Sequence, residues 1–293
     1  MKNKIVIIVP ARNEERYIGD LIQSLVAQKV QPVEVIFVDD GSTDKTEQII
    51  KSFAEKNQWI KYVKKSDRGV RSVGPGVVET FYFGYERIST ENYDFICKLD
   101  ADLILPETYF SALVEKFDSN RKLGSASGKV YLELDNGGYT RERMADEMVA
   151  GQVNFYRREC FKSIGGFVRE VMWDGIAYHR ARMTGWLTQS FKDEELKIIH
   201  RRLMGSSHQS ILTGRKRWGM GQYFMGTHPL YIIAIGIYRM VERPYIIGGL
   251  MIMWGYLNSY FKNQNRYSFP EFRKSLHAWQ FERLGIGRRL EQI

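Results

Sequence analysis

The chain has 293 residues with 44% hydrophobic and 13% aromatic side chains, which excludes a disordered chain and allows one large domain or two small ones. Two cysteines, Cys97 and Cys160, exclude a disulfide framework and a zinc-site spacing and predict a reducing compartment. The net charge of +9 lies in the last third, where 14 Lys and Arg face 4 Asp and Glu from Arg201 onward, so an anionic partner is predicted.

Four apolar runs in the first hundred residues alternate with helical patterns. The runs are rich in β-branched or aromatic residues, are typical of buried strands, and span 5–9, 33–38, 59–63 and 95–99. Helical spacing of apolar residues appears between them, at 18–26, 49–53 and 77–85. This alternation predicts an α/β fold with a mainly parallel sheet, right-handed crossovers and helices on both faces.

Three of these strands end in polar side chains. Asn13 follows the first, Asp39 and Asp40 follow the second, and Asp100 and Asp102 follow the fourth. Ligands bind beyond the carboxyl ends of strands in open α/β sheets, so we expect these groups to line one rim. Asp100 and Asp102 would point to the same side and suit Mg²⁺ or Mn²⁺ held with a substrate phosphate. A solvated Asp-x-Asp turn is the alternative.

Polar residues are also expected to cap the helices. Asn13 suits the N-cap of the first helix, and Ser42 or Thr43 suits that of the second. The downstream pattern predicts helices at 108–117 and 141–152, strands at 125–134, 154–158 and 196–200, and a loop at 165–167. The pattern at 173–186 predicts a short helix that begins at Asp174 and ends at Gly185.

Five motifs in order resemble family 2 glycosyltransferases. The first three are Val9-Pro-Ala-Arg-Asn-Glu14, Val38-Asp-Asp-Gly-Ser-Thr-Asp-Lys-Thr46 and Leu99-Asp-Ala-Asp102. Gly165-Gly166-Phe167 and then Trp173-Asp174, with Arg180 and Gly185 behind them, continue the match. The resemblance covers residues 4 to 218 and implies a GT-A fold, a Rossmann-like sheet flanked by helices with a nucleotide-diphosphate sugar across its rim.

The resemblance also implies roles for individual residues. The nucleotide sugar would contact Pro10, Ala11, Arg12, Glu14, Asp39, Asp40 and Asp100. Asp102 would ligate the metal and Asp174 would be the catalytic base, although a plain N-cap is the alternative for Asp174. The acceptor would contact Gly165, Gly166, Phe167 and Trp173.

Three further residues keep two interpretations each. Arg68 and Arg71 either contact the diphosphate or belong to a solvated loop. His200 follows a strand and is either a further metal ligand or a histidine satisfied in the core, and the core position is the more frequent case. An inverting transfer needs a divalent ion to neutralise the leaving diphosphate and one carboxylate to take the acceptor proton, which agrees with this set.

The last third predicts a helical extension that associates with a membrane. Residues 244–261 are uncharged and at the lower limit of length for a bilayer span. This segment is flanked by basic residues with interleaved Tyr and Trp, namely Arg239, Arg243, Lys262 and Arg266. The pattern favours helices that lie on or dip into the cytoplasmic leaflet. A buried helical hairpin is the alternative. Residues 269–290 predict an amphipathic basic helix. Because the start of the chain leads into a strand without a signal-peptide pattern, we expect a cytoplasmic protein, peripheral or monotopic at the inner face.

These observations predict a catalytic domain at 1–218, with a nucleotide-sugar half to about residue 105 and an acceptor half after it, and an extension at 219–293. The expected enzyme uses Mg²⁺ or Mn²⁺ to move one sugar onto a lipid-linked or glycan acceptor in the synthesis of cell-surface polysaccharide or glycolipid. Chain extension is not expected, since Gly214 stands where processive synthases carry Gln ahead of Arg217-Trp218. The preceding carboxylate of the family's acidic pair is also replaced, by Trp173.

Two other functions remain open from the sequence. A sugar-nucleotide synthase should carry a Gly-rich loop with Arg after the first strand, where this chain has Pro-Ala-Arg-Asn at 10–13. A non-catalytic module that binds polyanions through the basic tail would leave the acidic rim unexplained, so no nucleic acid partner is expected.

Overall fold

A computed structural model of the protein describes residues 3–69, 72, 74–134, 137–202 and 210–286. The strands are β1 Ile5–Ala11, β2 Glu34–Asp39, β3 Ile60–Lys64, β4 Phe95–Leu99, β5 Leu103–Ile104, β6 Leu123–Gly128, β7 Val130–Glu133, β8 Tyr139–Arg141, β9 Val153–Arg157, β10 Leu187–Phe191 and β11 Ile198–His200. The helices are α1 Ile18–Val26, α2 Thr46–Ala54, α3 Pro75–Tyr85, α4 Tyr109–Ser119, α5 Arg158–Ser163, α6 Trp173–Met183, α7 Ile211–Met225, α8 Pro229–Arg239, α9 Ile247–Phe261 and α10 Phe272–Arg283.

The main sheet has seven strands in the order β10-β6-β9-β4-β1-β2-β3. All of its neighbouring pairs are parallel except those of β9, which runs antiparallel to both β4 and β6. The predicted mainly parallel sheet is therefore confirmed. Since β1 lies between β2 and β4, the three strands with polar ends are adjacent, and their carboxyl ends share one edge. A second sheet, β5-β11-β7-β8, stands beside that edge.

Strand β1 is buried on both faces, as its continuous apolar sequence predicts. Ile7 packs on one side with Leu21 of α1, whereas Val6 and Ile8 pack on the other side with Phe81 of α3. Each such side chain contributes about 1.5–3 kcal/mol by burial. Helices on both faces therefore hold the central strands rigidly and fix the positions of the loops that follow them.

The predicted helix caps are wrong. Helix α1 begins at Ile18, beyond Asn13, and α2 begins at Thr46, and neither helix has a side-chain hydrogen bond at its cap. Asn13 instead adopts a left-handed conformation with φ 55°. Its side chain accepts a hydrogen bond from the backbone N–H of Thr43 at 2.8 Å, and its own N–H donates to Ser42 at 3.0 Å. These polar side chains therefore tie the two strand-end loops to each other.

The predicted helix at 141–152 and the single strand at 125–134 are also wrong. The strand is divided at Lys129, which is buried and donates to the carbonyl oxygen of Met144 at 3.0 Å and to Ser190 at 2.8 Å. Carbonyl oxygens of Asp146 and Glu147 accept hydrogen bonds from β10. These carbonyl groups serve Lys129 and β10, so they are not available for a helix.

Helices α7 and α9 pack closely because a glycine on each helix faces the backbone of the other. A Cβ on Gly219 of α7 would overlap the carbonyl oxygen of Ile252, and one on Gly255 of α9 would overlap that of Lys216. The domain division at residue 218 stays a prediction, and that position lies within α7. Among the residues that the structure describes, no helix combines the length and the apolarity needed to cross a bilayer. The predicted helix at 269–290 is confirmed as α10 up to Arg283, and residues 287–290 lie outside the described ranges.

Replacement of Gly255 by alanine should destabilise the protein by about 1–3 kcal/mol, because the added methyl group forces α7 and α9 apart. The matched control is Gly19→Ala in α1, where the new Cβ would be 3.9 Å from its nearest neighbour and helix propensity favours alanine. Urea unfolding of both variants measures the difference. Equal stability of the two variants would contradict the close packing of α7 on α9.

Candidate active site

A cleft of about 340 Å³ opens where β1, β2 and β4 end. Ten residues singled out from the sequence line it, namely Pro10, Ala11, Arg12, Glu14, Asp40, Asp100, Asp102, Trp173, Asp174 and His200. Other lining residues, which the sequence did not single out, include Lys98, Gly151, Gln152 and Arg202. The strand ends thus converge on one site, as the parallel order of the strands predicts.

One end of the cleft is organised around Asp40, which is nearly buried. Lys65 and Arg68 donate to its carboxylate at 3.1 Å and 3.0 Å, and Arg68 also pairs with Glu79 at 2.9 Å. Arg12 donates to the backbone carbonyl oxygen of Asp40. Arg68 is therefore held by acidic side chains rather than solvated in a loop, whereas Arg71 lies outside the described residues.

Asp39 faces away from the cleft and is fully buried. Its carboxylate accepts hydrogen bonds from the backbone N–H of Ser42 at 2.7 Å and from the hydroxyl of Tyr62 at 2.8 Å. These bonds shape the turn after β2 and so place Asp40 toward the cleft. The structure therefore separates the two adjacent carboxylates.

The other end of the cleft is a charge network built on Asp102. Arg202 donates from Nε to Asp102 Oδ2 at 2.7 Å and from Nη2 to both oxygens of Glu14 at 2.9 Å. His200 lies between Asp102 and Glu142, at 3.3 Å and 3.5 Å. Burial opposes charge on both groups, but the paired charges and hydrogen bonds prevail, so the pKa of Asp102 falls below its usual range and that of His200 rises to about 9.

Asp102 and His200 offer donors suited to a divalent ion once His200 has lost its proton, because a metal binds the neutral imidazole. Mg²⁺ binds at about 2.0–2.1 Å, which puts neighbouring ligand atoms about 3 Å apart, and the carboxylate and imidazole atoms here are 3.3 Å apart. Within the described ranges, no group of three or more His, Cys, Asp or Glu side chains is placed to hold a metal ion. Two protein ligands completed by substrate phosphates are a usual arrangement for such ions.

Asp174 stands in the first turn of α6 and lines the cleft beside Gly151. The N-cap of this helix is Met172, in a left-handed conformation with φ 67°, so Asp174 is not the N-cap. Its carboxylate accepts from the N–H of Gly175 at 2.8 Å, and a Cβ on Gly151 would lie 2.6 Å from its other oxygen. Burial raises the pKa of Asp174. The hydrogen bond from the Gly175 N–H and the positive charge of Lys98 oppose this rise.

Lys98 is a cation inside β4 that the sequence analysis missed. It is 3% exposed, pairs with Asp100, and donates to the carbonyl oxygen of Gly151 at 3.1 Å. Its ammonium lies 5.2 Å from the centre of the Trp173 ring. A lysine within an otherwise apolar strand, two residues before a carboxylate, was the available signal, since a buried lysine needs a partner.

The glycine-rich motif near α6 lies behind the cleft wall. The structure brings Trp173 to the cleft, but Gly165, Gly166 and Phe167 do not line it. Phe167 is buried, its ring centre is 4.7 Å from that of Trp173, and its backbone N–H donates to Tyr82 at 2.7 Å. The motif therefore supports Trp173 from behind.

Comparison with known proteins identifies the family. The sequence profile of glycosyl transferase family 2 matches residues 6–182, more than half of the chain. The chain belongs to glycosyl transferase family 2. Family membership favours glycosyl transfer over the nucleotidyltransferase and the non-catalytic module.

Two curated family relatives are similar over part of the chain. A poly-β-1,6-N-acetyl-D-glucosamine synthase of Staphylococcus aureus is 27% identical over 125 residues, which are 42% of this chain and 28% of the synthase. The glycosyltransferase GlyA of Streptococcus pneumoniae is 35% identical over 68 residues, which are 23% of this chain and 10% of that protein. The matched regions are thus less than a third of either relative.

Solved structures support the GT-A fold. The mannosyltransferase PcManGT from Pyrobaculum calidifontis, in complex with GDP-Man and Mn²⁺, aligns with a TM-score of 0.54 at 16% identity, over 98% of this chain and 77% of that one. S. aureus TarS 1–349 in complex with UDP aligns with a TM-score of 0.52 at 18% identity, over 88% of this chain and 72% of the other. At these identities the likeness concerns the fold alone.

Replacement of Arg202 by methionine should destabilise the protein by about 3 kcal/mol near neutral pH, because it leaves Asp102 and Glu14 buried without their shared cation. The folded-state pKa of Asp102 lies below its unfolded value, so the stabilisation exists above the unfolded pKa and is lost as pH falls toward the folded one. The deficit of the variant should therefore persist down to about pH 4 and shrink below it, as urea unfolding at pH 7, 4 and 3 measures.

Arg201→Met is the matched control. The guanidinium of Arg201 also pairs with two carboxylates, Asp20 at 2.7 Å and Glu133 at 2.8 Å, but these pairs are more exposed to solvent. Such pairs contribute about 0–1 kcal/mol. A deficit for Arg202→Met no larger than that of this control would show that the Asp102 network does not stabilise the fold.

Proposed function

We propose that the protein is an inverting, metal-dependent glycosyltransferase that moves one sugar from a nucleotide-diphosphate sugar to a lipid-linked or glycan acceptor. The observation that carries this proposal is one cleft, which is lined both by the Asp102 and His200 pair and by Asp174 of α6. These two sets of groups suit the two tasks of the reaction, departure of a diphosphate and deprotonation of a hydroxyl.

The donor would lie across the ends of β1, β2 and β4. Asp40 and Arg12 would hold the nucleotide at one end, with Arg68 kept nearby through its contact with Asp40. Asp102 and His200 would hold Mg²⁺ or Mn²⁺, which supplies positive charge to the departing diphosphate. The resolved structure of the mannosyltransferase with GDP-Man and Mn²⁺ supports divalent metal use in a protein of this fold.

Asp174 would take the proton of the acceptor hydroxyl. A carboxylate whose pKa is raised by burial is a stronger base than a solvated one, and burial excludes water that would compete with the acceptor. The charge of Lys98 opposes the rise in pKa that burial causes at Asp174, and its ammonium lies 5.2 Å from the centre of the Trp173 ring, which would contact the acceptor. A single displacement with one base inverts the anomeric configuration.

Transfer of a single sugar is the form of the reaction that we propose. Position 214, where processive synthases have Gln, is a glycine in the first turn of α7, and Arg217-Trp218 follow it. The relative that is named as a polymer synthase aligns with this chain over only 28% of its own length. The reaction would serve the synthesis of cell-surface polysaccharide or glycolipid at the cytoplasmic face of the membrane, which the basic last third supports.

A thermal-shift panel of sugar nucleotides with Mn²⁺ tests donor binding. One sugar nucleotide should raise the melting temperature, since binding at a hundred times the dissociation constant stabilises by about 2.7 kcal/mol. Asp102→Asn should abolish the Mn²⁺-dependent part of the shift. Absence of any shift for the native chain across UDP-, GDP- and dTDP-sugars would refute the proposed donor site.

Replacement of Asp174 by asparagine should lower kcat about 10²- to 10⁴-fold with donor binding unchanged, because the amide cannot accept the acceptor proton. Release of free nucleoside diphosphate in the presence of acceptor measures the rate. Near-normal turnover of this variant would rule out Asp174 as the base.

The pH dependence separates a basic role from a structural one. Since the pKa of Asp174 is raised, the rate should fall as pH drops through that raised value. Lys98→Met removes the nearby cation, so the pKa should rise further and the acid limb of the pH–rate profile should move to higher pH. Lys65→Met, beside Asp40 at the other end of the cleft, should leave that limb in place.

A further inference from the structure

Exposed apolar side chains are concentrated in one segment of the chain. Of the 21 large hydrophobic residues that are exposed in the described part, 13 lie between residues 230 and 261, on α8, α9 and the turn that joins them. Phe261 is 76% exposed and Trp254 is 53% exposed. Contiguous apolar surface of this extent marks an interaction site.

The exposed residues form a stripe along each helix. On α9 the stripe consists of Ile247, Leu250, Trp254, Leu257 and Phe261, spaced by three and four residues in turn. On α8 it consists of Leu230, Ile233 and Ile237. Three- and four-residue spacing places each set on one face of its helix.

The two stripes face the same side of the helix pair. A Cβ on Gly236 would meet Met253 and a Cβ on Gly249 would meet Met240, so the helices run antiparallel and touch at these glycines. A helix turns by about 100° per residue, so each stripe lies roughly 100–120° around its helix from the contact glycine, Gly236 on α8 or Gly249 on α9. The rotation has the same sense on both helices when each is viewed along its own chain direction. In an antiparallel pair that places both on one side. Ile252, which faces α7, lies on the opposite side of α9.

Cations surround this apolar face. Arg239 and Arg243 lie at the turn between the helices, and Lys262 and Arg266 follow α9. The one acidic residue between positions 227 and 269 is Glu242, and it pairs with Arg239 at 2.7 Å and Arg215 at 3.3 Å. An apolar face that carries Trp and Tyr and has a basic edge is complementary to an anionic bilayer surface.

We propose that this face of α8 and α9, the hairpin face, docks on an anionic membrane with both helices parallel to its plane. Helix α9 has 15 residues and is about 22 Å long, shorter than the hydrocarbon core, so it lies in the interface. The proposal rests on the membrane location given under the proposed function and identifies the surface that would produce it. It does not depend on the transfer reaction.

A second copy of this chain is the competing occupant, because alternating three- and four-residue spacing also suits a helix seam. The width of the hairpin face favours the bilayer. The apolar surface extends over two helices and over Tyr245 and Ile246 in the turn, which are 59% and 60% exposed. A two-helix seam uses a narrow stripe on each helix, and like charges at both ends of this face would repel in a symmetric pair.

Flotation of the full chain with lipid vesicles tests the proposal. Vesicles of two parts phosphatidylcholine to one part phosphatidylglycerol should carry the protein upward, and vesicles of phosphatidylcholine alone should carry much less. Trp254→Glu with Leu257→Glu should lower binding at least tenfold. Arg243→Gln with Lys262→Gln should weaken binding to the anionic vesicles by about fivefold for each cation removed.

The matched control is Val26→Glu with Val33→Glu, which changes two residues that are 39% and 38% exposed outside the hairpin face. It should float like the native chain. Unchanged melting temperatures and donor-induced thermal shifts would show that every variant is folded, which separates failure of docking from failure of the donor site.

Flotation unaffected by the Trp254 and Leu257 changes would overturn the proposal. A dimer in sedimentation that these changes dissociate, without vesicle binding, would assign the face to a second copy.

Discussion

The crowding of carboxylates at the ends of β1 and its two neighbours is the constraint on which the rest of the site depends. Four of them share the cleft, namely Glu14, Asp40, Asp100 and Asp102. A buried anion is stable only beside a cation or hydrogen-bond donors. The fold supplies the cations from distant segments, since Arg202 reaches Glu14 across 188 residues of sequence and Lys98 projects from β4 itself. Strand β11 of the second sheet ends at His200, two residues before Arg202. The second sheet is therefore as necessary to the site as the first.

The sheet and its rim were predictable because a parallel strand that is buried on both faces has a continuous apolar sequence. Strands β1, β2 and β4 show this pattern, and each is followed by polar residues at its carboxyl end. The order of the strands then fixes which ends meet. Seven of the ten predicted residues that line the cleft belong to the ends of β1, β2 and β4 and lie there for this reason, whereas the other three come from α6 and β11. The chemical roles of all ten follow from the resemblance and stay proposals.

The parts that were not predictable depend on contacts between distant residues. Lys129 donates to the carbonyl oxygen of Met144 in the segment predicted as a helix, and no local pattern indicates that a lysine will be buried there. Strand β10 is short and mostly polar, so its sequence resembles a loop. Asn13 and Ser42 have the composition of helix caps but cap each other's loops, because the two turns lie side by side only after β1 and β2 have paired.

Helix α6 carries Asp174 in its first turn and packs against α10 in its later turns. Tyr178 shares an apolar cluster with Phe272 and Trp279, and His179 is enclosed by the same rings, where burial lowers its pKa to about 3 and keeps it neutral. Helix α10 thus supports the helix that carries Asp174. Exchange of α10 between family members would have to include α6, since a mismatched aromatic surface would displace the Asp174 carboxylate from its place in the cleft.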